Sequence, residues 1–545
     1  MKVAINGGQA KTTAALPNEV MVTEQKVGGD VIGALTVVGV LTLLGVLVAD
    51  SSLGLLVTLI DFFLLVYVMF RVPVRQFLMG LMFFVFALPN PSEGQSTKWE
   101  PPFTAVGAIL LNHLNTVDRS LSFLSSASFS GLDLLLVMLG VVVFIRKQNG
   151  SKIDSAGRLE TPKPLKTMAF ISLGGTIFSW VSGLVRGGDF GMSLWQVNCV
   201  VYMPVLFLLF QYGLRGPRDH QALARVIMSA AVYKCFMAYY IVHFIPGPLD
   251  PDTGSTRPVY GTSHNDSMLF AAAFVLVLAL LVERAGKSAK WYGLIFLPIL
   301  AMGTIANNRR LAWVQVALVF FTVYLISRES PIKRKLRRTL IALTPLIAVY
   351  IYAGWESQYG GTFKAVRMIR SVVDAKSDGS SQWREYENVN LIATFRTSPI
   401  IGTGYGVPYQ EMVVLPPVDY PLERYLPHNS LLGLWSYTGM VGYAALTLLW
   451  AVGVYFGMLA YYKAEDARLR AAALVSFGSV LIYLLQSWGD LGLGSWTGIF
   501  MMATALTVAG KAAVAAGQWG DVKAIRAGNN AVSGGAAAYG QTRRP

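Results

Sequence analysis

Stretches of about twenty apolar residues recur along this chain. They constrain its fold more than any other feature, because a helix needs about that length to cross the hydrocarbon of a bilayer. Such runs lie near residues 31–49, 52–70, 76–89, 129–145, 167–185, 195–214, 222–245, 263–282, 291–306, 311–327, 339–354, 441–462, 471–486 and 492–510. In lipid each backbone N–H and C=O has to be satisfied within its own segment, so runs of this kind read as helices. The expected fold is all-α, a polytopic transmembrane bundle of about 14 spans. Composition agrees: 54% of the 545 residues are hydrophobic and 14% are charged, against about 25% charged in a soluble globular chain. The chain has too little charge to cover a water-facing surface of its size.

The Lys and Arg side chains are unevenly placed. With the N-terminus inside, the inner loops Arg71–Arg75, Arg146–Lys166, Arg215–His220, Glu283–Lys290, Arg328–Arg338 and Lys463–Arg470 hold about 22 of them. The short outer segments hold about 6: Lys98, Arg119, Arg186, Arg257, Arg309 and Arg310. The positive-inside rule then puts both termini in the cytosol. The net charge of +15 is thus a topology signal and not the footprint of a nucleic-acid binder. Lys333-Arg334-Lys335-Leu336-Arg337-Arg338 is its strongest element, and such a cluster also suits lipid headgroups. Two cysteines, Cys199 and Cys235, both in apolar runs, point to neither a disulfide framework nor a Cys-based zinc site.

The spans divide the chain. Residues 1–30 are a polar leader without a cleavage-type ending, expected as a cytosolic extension. Helices 1–11 occupy 31–354, a long outer region 355–440, and helices 12–14 441–510. The Ala- and Gly-rich tail 511–545 reads as disordered and cytosolic. Residues 90–128 form a shorter outer loop.

Region 355–440 is too long and too aromatic to be a plain connection. Trp355, Tyr359, Phe363, Trp383, Tyr386, Phe395, Tyr405, Tyr409, Tyr420 and Tyr425 supply enough surface to pack a small helical cap. Ser381–Asn388 leads into an apolar-periodic stretch ended by Pro399, and Gly402-Thr403-Gly404-Tyr405-Gly406 follows as a tight turn. Backbone N–H groups in a glycine run can cradle phosphate, but this one lacks the Lys-Ser/Thr of a P-loop, and a plain turn explains it as well. Pro427-His428-Asn429-Ser430 directly precedes an apolar helix. A histidine there is a base, a donor to an anion, or only a neighbour of the helix cap.

The succession Trp383-Arg384, Pro399-Ile400-Ile401-Gly402-Thr403-Gly404-Tyr405-Gly406, Pro427-His428-Asn429-Ser430, Gly439 and Gly442 resembles the signature region of the O-antigen ligase and polymerase superfamily. Asn307-Asn308-Arg309-Arg310-Leu311-Ala312-Trp313 opens a helix from the outer face as that family's arginine segment does. Arg257-Pro258-Val259-Tyr260-Gly261-Thr262-Ser263-His264-Asn265-Asp266 stands where the family has Arg-x-x-Gly before a helix, although the family usually carries Pro-Asn near His264-Asn265. The motifs cover roughly residues 255–450.

The resemblance implies a membrane glycosyltransferase that takes a glycan from undecaprenyl diphosphate and moves it to an acceptor hydroxyl on the periplasmic face of the bacterial inner membrane. A diphosphate leaving group calls for fixed positive charge, and arginine's planar fork suits phosphate oxygens. The resemblance makes Arg309 and Arg310, with His428 as base or diphosphate donor, the catalytic candidates. It makes Arg257, Arg384 and Asn429 substrate-binding candidates. Against these stand snorkelling to headgroups for the arginines and, for Arg384, an ion pair with Glu385 or Glu387. No cofactor or metal is expected, although Asp250-Pro251-Asp252 has a DxD spacing that elsewhere holds a divalent cation.

Within the spans, Asp61 and Lys234 are costly charges, read as a pair that holds the bundle together. The leading function is polymerisation of repeat units into exopolysaccharide or O-antigen. The alternatives are ligation of glycan to lipid A core or protein, and a transporter or flippase without bond-making chemistry. A donor lipid, a glycan acceptor, membrane lipids, a flippase and a chain-length regulator are the expected partners, with no nucleic acid.

Overall fold

A computed structural model describes residues 36–519, apart from 42–43, 45–51, 90–103, 112–128, 151–153, 155–157, 247–260, 287, 358–361, 364–365, 368, 371–378 and 417–423. The leader 1–30, most of the first run, Arg257, Asp250, Asp252 and the tail past residue 519 lie outside the described residues.

The described elements are helices: α1 (Ser52–Arg71), α2 (Val74–Ala87), α3 (Thr104–Leu111), α4 (Gly131–Gln148), α5 (Lys163–Val185), α6 (Phe190–Gly213), α7 (His220–Phe244), α8 (His264–Val282), α9 (Ala289–Asn307), α10 (Arg310–Ile326), α11 (Pro331–Gly354), α12 (Gly379–Thr397), α13 (Ser430–Lys463), α14 (Ala467–Gly489) and α15 (Trp496–Ala515). No β-strand occurs among the described residues, and the all-α expectation holds. Among the described residues nine helices are long and apolar enough to cross a bilayer, and α2 and α10 are shorter apolar helices. The count of about fourteen is not established by these.

α15 is the hub, buried along most of its length, and it packs against α6, α13 and α14. α13 also packs along α5, and α8 packs between α9, α10 and α14. Small residues allow this closeness. A Cβ on Gly303 of α9 would sit 2.2 Å from the Cys235 sulfur of α7, and one on Gly453 of α13 would sit 2.1 Å from Leu506 of α15, the small-residue packing expected where lipid supplies no hydrophobic drive between helices.

The Lys- and Arg-rich loops gather at one end of the bundle. Arg146 donates to Asp154 and to the carbonyls of Met69, Phe70 and Val72, closing the α1–α2 turn onto α4. Arg75 pairs with Asp219 at 2.9 Å. Glu283, buried after α8, accepts from Arg470 at 2.5 Å and from the Tyr461 hydroxyl at 2.8 Å. Lys511 donates to the carbonyls of Gln211 and Leu214 and so caps α6. These contacts tie together loops far apart in sequence and define a basic end. The sequence motifs lie at the opposite end, where α6, α8, α10, α13 and α15 begin.

Candidate functional site

α13 carries a break that explains the glycine spacing. Gly439 has φ 59° and ψ −167°, so the helix is interrupted two residues before the apolar run read as a span from 441. The break frees the carbonyls of Ser436 and Tyr437, which accept from the N–H groups of Thr403 (3.1 Å) and Gly404 (2.8 Å). In return, the N–H groups of Met440 and Val441 donate to the carbonyls of Pro399 (2.9 Å) and Ile400 (3.1 Å). Residues 399–404 are thereby inserted into the ladder of a helix.

The glycine run serves this insertion. Gly404 has φ 90°, and a Cβ there would lie 2.1 Å from the Gly183 Cα of α5. The N–H groups of Gly402, Thr403, Gly404, Tyr405 and Gly406 all donate to protein acceptors, the last to the Gln196 side chain. None of the five is left for a phosphate, so of the two readings of this run the turn is the one realised. Arg186, at the end of α5, donates to the Gly402 carbonyl at 2.5 Å and locks the loop from the other side.

α12 packs on the start of α13 and presents Trp383 and Glu387, one turn apart, to His428. Glu387 is fully buried, and both of its oxygens accept from the His428 backbone N–H, at 3.1 and 3.0 Å. The imidazole Nδ1 lies 3.4 Å from Oε1, and the Trp383 ring meets the imidazole edge-on with centroids 4.9 Å apart. A carboxylate at Nδ1 fixes the tautomer that leaves Nε2 with a lone pair, and nothing hydrogen-bonds Nε2 among the described residues. Asn429 caps α13 by accepting from the Leu432 N–H at 3.1 Å, while its amide donates to Asn388 at 3.0 Å. Both ends of this side chain hold the turn in place.

The second constellation is built from three helix ends. Asn308 takes the left-handed conformation (φ 54°) that lets α9 turn at once into α10. Buried Asn307 accepts from Thr262 at 3.0 Å and donates to Ser267 at 3.3 Å, which binds that turn to the start of α8. His264 of α8 then has Nε2 2.7 Å from an Arg309 guanidinium nitrogen and Nδ1 2.7 Å from Asp490 Oδ2. Asp490 follows α14. Burial by itself would raise its carboxyl, but the His264 hydrogen bond and the Arg384 charge help to outweigh it and hold the group down at about 2. Arg310 occupies the first turn of α10, whose positive dipole end faces the same region.

Asp490 also joins the two constellations, since its carbonyl accepts from the Ser430 hydroxyl at 3.2 Å, two residues past His428. Between them opens a cavity of about 370 Å³, lined by Ser263 and Asn265, which flank His264, and by Pro427 and Ser430 beside His428. Its wall includes Trp195, Tyr405 and Trp496, and at its floor Lys234 pairs with Asp266 at 3.2 Å. Lys234, which the sequence set against Asp61, thus has its counter-ion on α8. The size falls within the usual range of small-ligand pockets, about 300–1,000 Å³.

Of the residues singled out from sequence, His428, Arg309, Arg310, Arg384 and Asn429 share one end of the bundle, and Arg257 lies outside the described residues. Arg384 makes no ion pair with Glu385 or Glu387; Glu387 belongs to His428, and Arg384 instead contributes its charge to Asp490. Glu387 as the partner of His428, His264 as a bridge and Asp490 altogether were not anticipated. The available signal for Asp490 was a carboxylate between Gly489 and Gly492 at the end of an apolar run, since a charge so placed is a functional candidate by default.

Residues 294–447 match the family model described as O-antigen ligase, and this supports the chain's place in the O-antigen ligase and polymerase superfamily. The match contains Arg309, Arg310, Arg384, Glu387 and His428; His264 and Asp490 lie on either side of it. No curated protein matches the chain.

Proposed function

We propose that this O-antigen ligase/polymerase-type membrane enzyme, so placed by the match over 294–447, polymerises oligosaccharide repeat units carried on undecaprenyl diphosphate. The reading places the reaction on the periplasmic face of the bacterial inner membrane, with both termini cytosolic. The observation that carries it is His428 held by buried Glu387 and Arg309 held by His264 and Asp490, two groups joined through the Ser430–Asp490 hydrogen bond beside a cavity lined by Ser263, Asn265, Pro427 and Ser430.

In this mechanism an acceptor sugar hydroxyl approaches His428 Nε2, which takes its proton as the oxygen attacks the anomeric carbon of the donor. Glu387 stabilises the imidazolium that forms, as the carboxylate does in a hydrolase triad. The bond from the anomeric carbon to the diphosphate oxygen breaks, and its electron pair leaves with the diphosphate. Arg310, and Arg309 braced by the His264–Asp490 pair, offset that charge at the N-terminal end of α10. Positive charge fixed beforehand costs no reorganisation as the bond breaks, which is why a braced arginine serves better than a mobile one. The long aromatic segment around α12 supports a polymerase over a ligase, since it offers surface for a growing glycan. A flippase that delivers the donor and a chain-length regulator are its expected partners.

The test is complementation of a deletion strain with His428→Ala and Arg310→Ala, reading surface glycan by gel and lipid-linked glycan by mass spectrometry. Loss of polymer at normal protein level, with single repeat units accumulating on the lipid, is the expected result. Long chains accumulating on the lipid would make the protein a ligase, and normal glycan from both variants would return a transporter to first place.

A further inference from the structure

A second and larger cavity opens at the basic end. It has a volume of about 1070 Å³ and is bounded by α7, α8, α14 and α15. Its shaft is apolar, with Leu223, Leu269, Leu276 and Met501 among its walls, and its mouth carries Arg218, Arg225 and Arg468. All three arginines are exposed, and none forms an ion pair among the described residues. Among the described residues that line the cavity the single carboxylate, Asp466, is engaged as the cap of α14, accepting from the Arg468 N–H at 3.1 Å. The opening therefore presents a surplus of unneutralised positive charge above an oily shaft.

The depth of the shaft is also informative. Along α8 its lining runs from Leu280, near the basic end, to Leu269, which at about 1.5 Å per residue is about 16 Å. Half of a hydrocarbon core about 30 Å thick is about 15 Å, so the shaft matches one leaflet. Thr497 also lines the outer cavity, so the shaft ends where the floor of the candidate site begins.

We propose that this cavity binds an anionic glycerophospholipid drawn from the leaflet at the basic end. One acyl chain fills the shaft, and the phosphate lies among Arg218, Arg225 and Arg468. A zwitterionic lipid of the same chain length satisfies the shaft but gains less from the mouth, and a soluble anion gains nothing from the shaft. Cytosolic leaflets are rich in anionic lipids and reward basic groups at their surface, which agrees with the loop charge at this end. The proposal concerns binding alone and stands whether the outer site polymerises, ligates or transports.

The test is native mass spectrometry of the full chain purified in detergent, titrated with phosphatidylglycerol or with phosphatidylcholine of matched chains. The wild-type protein is expected to retain one phosphatidylglycerol in preference to phosphatidylcholine. The triple variant Arg218→Glu, Arg225→Glu, Arg468→Glu, whose changes are exposed and leave the packing alone, is expected to weaken phosphatidylglycerol binding by at least about tenfold. Ala272→Phe, which fills the shaft, is expected to weaken binding of both lipids. Arg337→Glu, in an exposed pair with Glu329 in another loop, is expected to leave both unchanged. Equal retention of the two lipids by the wild type, or undiminished phosphatidylglycerol binding in the triple variant, overturns the proposal.

Discussion

His264 Nδ1 stands 2.7 Å from Asp490 Oδ2 while its Nε2 stands 2.7 Å from Arg309, so one imidazole joins a carboxylate and a guanidinium from three separate helix ends. The carboxylate orients the ring and the ring orients the arginine. Arg309 is thereby fixed at the N-cap of α10, where the proposed mechanism puts the developing anion.

Asp490 carries a pH dependence whose sign is set by its depressed carboxyl. An ordinary aspartate titrates near about 3.9, whereas Asp490 is held at about 2. Its ionised form is favoured by folding, so its stabilising effect is whole above the ordinary value. That effect is lost as pH falls through the folded value. Melting curves of wild type and Asp490→Asn are expected to differ by a constant amount from pH 7 down to about 4, and the gap is expected to shrink only below that.

Glu387 and His428 are expected to act as a unit. His428→Ala should lower glycan transfer by about 10²–10⁴-fold, the usual contribution of a general base. Glu387→Gln keeps an acceptor for the His428 N–H but removes the charge that stabilises the imidazolium. Turnover should fall at least about tenfold, worth about 1.4 kcal/mol of barrier. The double variant should be no slower than His428→Ala, since residues that act together are not additive. A product of the two single losses in a single-turnover assay would show that they act independently.

Gly404→Ala separates the two readings of the glycine run. A Cβ there would press on the Gly183 backbone at 2.1 Å while φ stays at 90°. Strain and overpacking together should cost about 3 kcal/mol or more. The expected outcome is loss of folded protein, measured as monodisperse yield and melting temperature. Normal folding with lost activity would instead support a ligand-cradling role.

The buried pair Lys234–Asp266 should show the asymmetry of such pairs. Lys234→Met leaves Asp266 without its lysine in the wall of the cavity beside His428 and should destabilise by about 3–5 kcal/mol. Lys234→Met with Asp266→Leu removes both charges, and thermal unfolding in detergent should then recover most of that loss. A double variant as unstable as the single would point to a role beyond pairing.

The motifs His428-Asn429, Arg309-Arg310 and Arg384 could be picked out of the sequence because each sits beside the start of a helix, where local pattern and position coincide. Their clustering at one end follows from alternation of the spans. Their partners could not be picked out in this way. Glu387 lies 41 residues from His428, and Asp490 lies still further along the chain from His264. No periodicity relates positions so separated; only the docking of α12 on α13 and of α14 on α8 does.

The sequence by itself determined that the chain is a helical membrane bundle with its basic loops on one side and its motifs on the other. Twenty-residue apolar runs have one low-energy state in lipid, and charge at their ends has a preferred side. Tertiary structure alone decided that the glycine run mends a broken helix, that His264 bridges Arg309 to Asp490, and that a leaflet-deep cavity rises behind the site. Each depends on which helices touch, and that is settled by close packing of small residues and burial of a few polar groups across the bundle, at separations where local pattern carries no information.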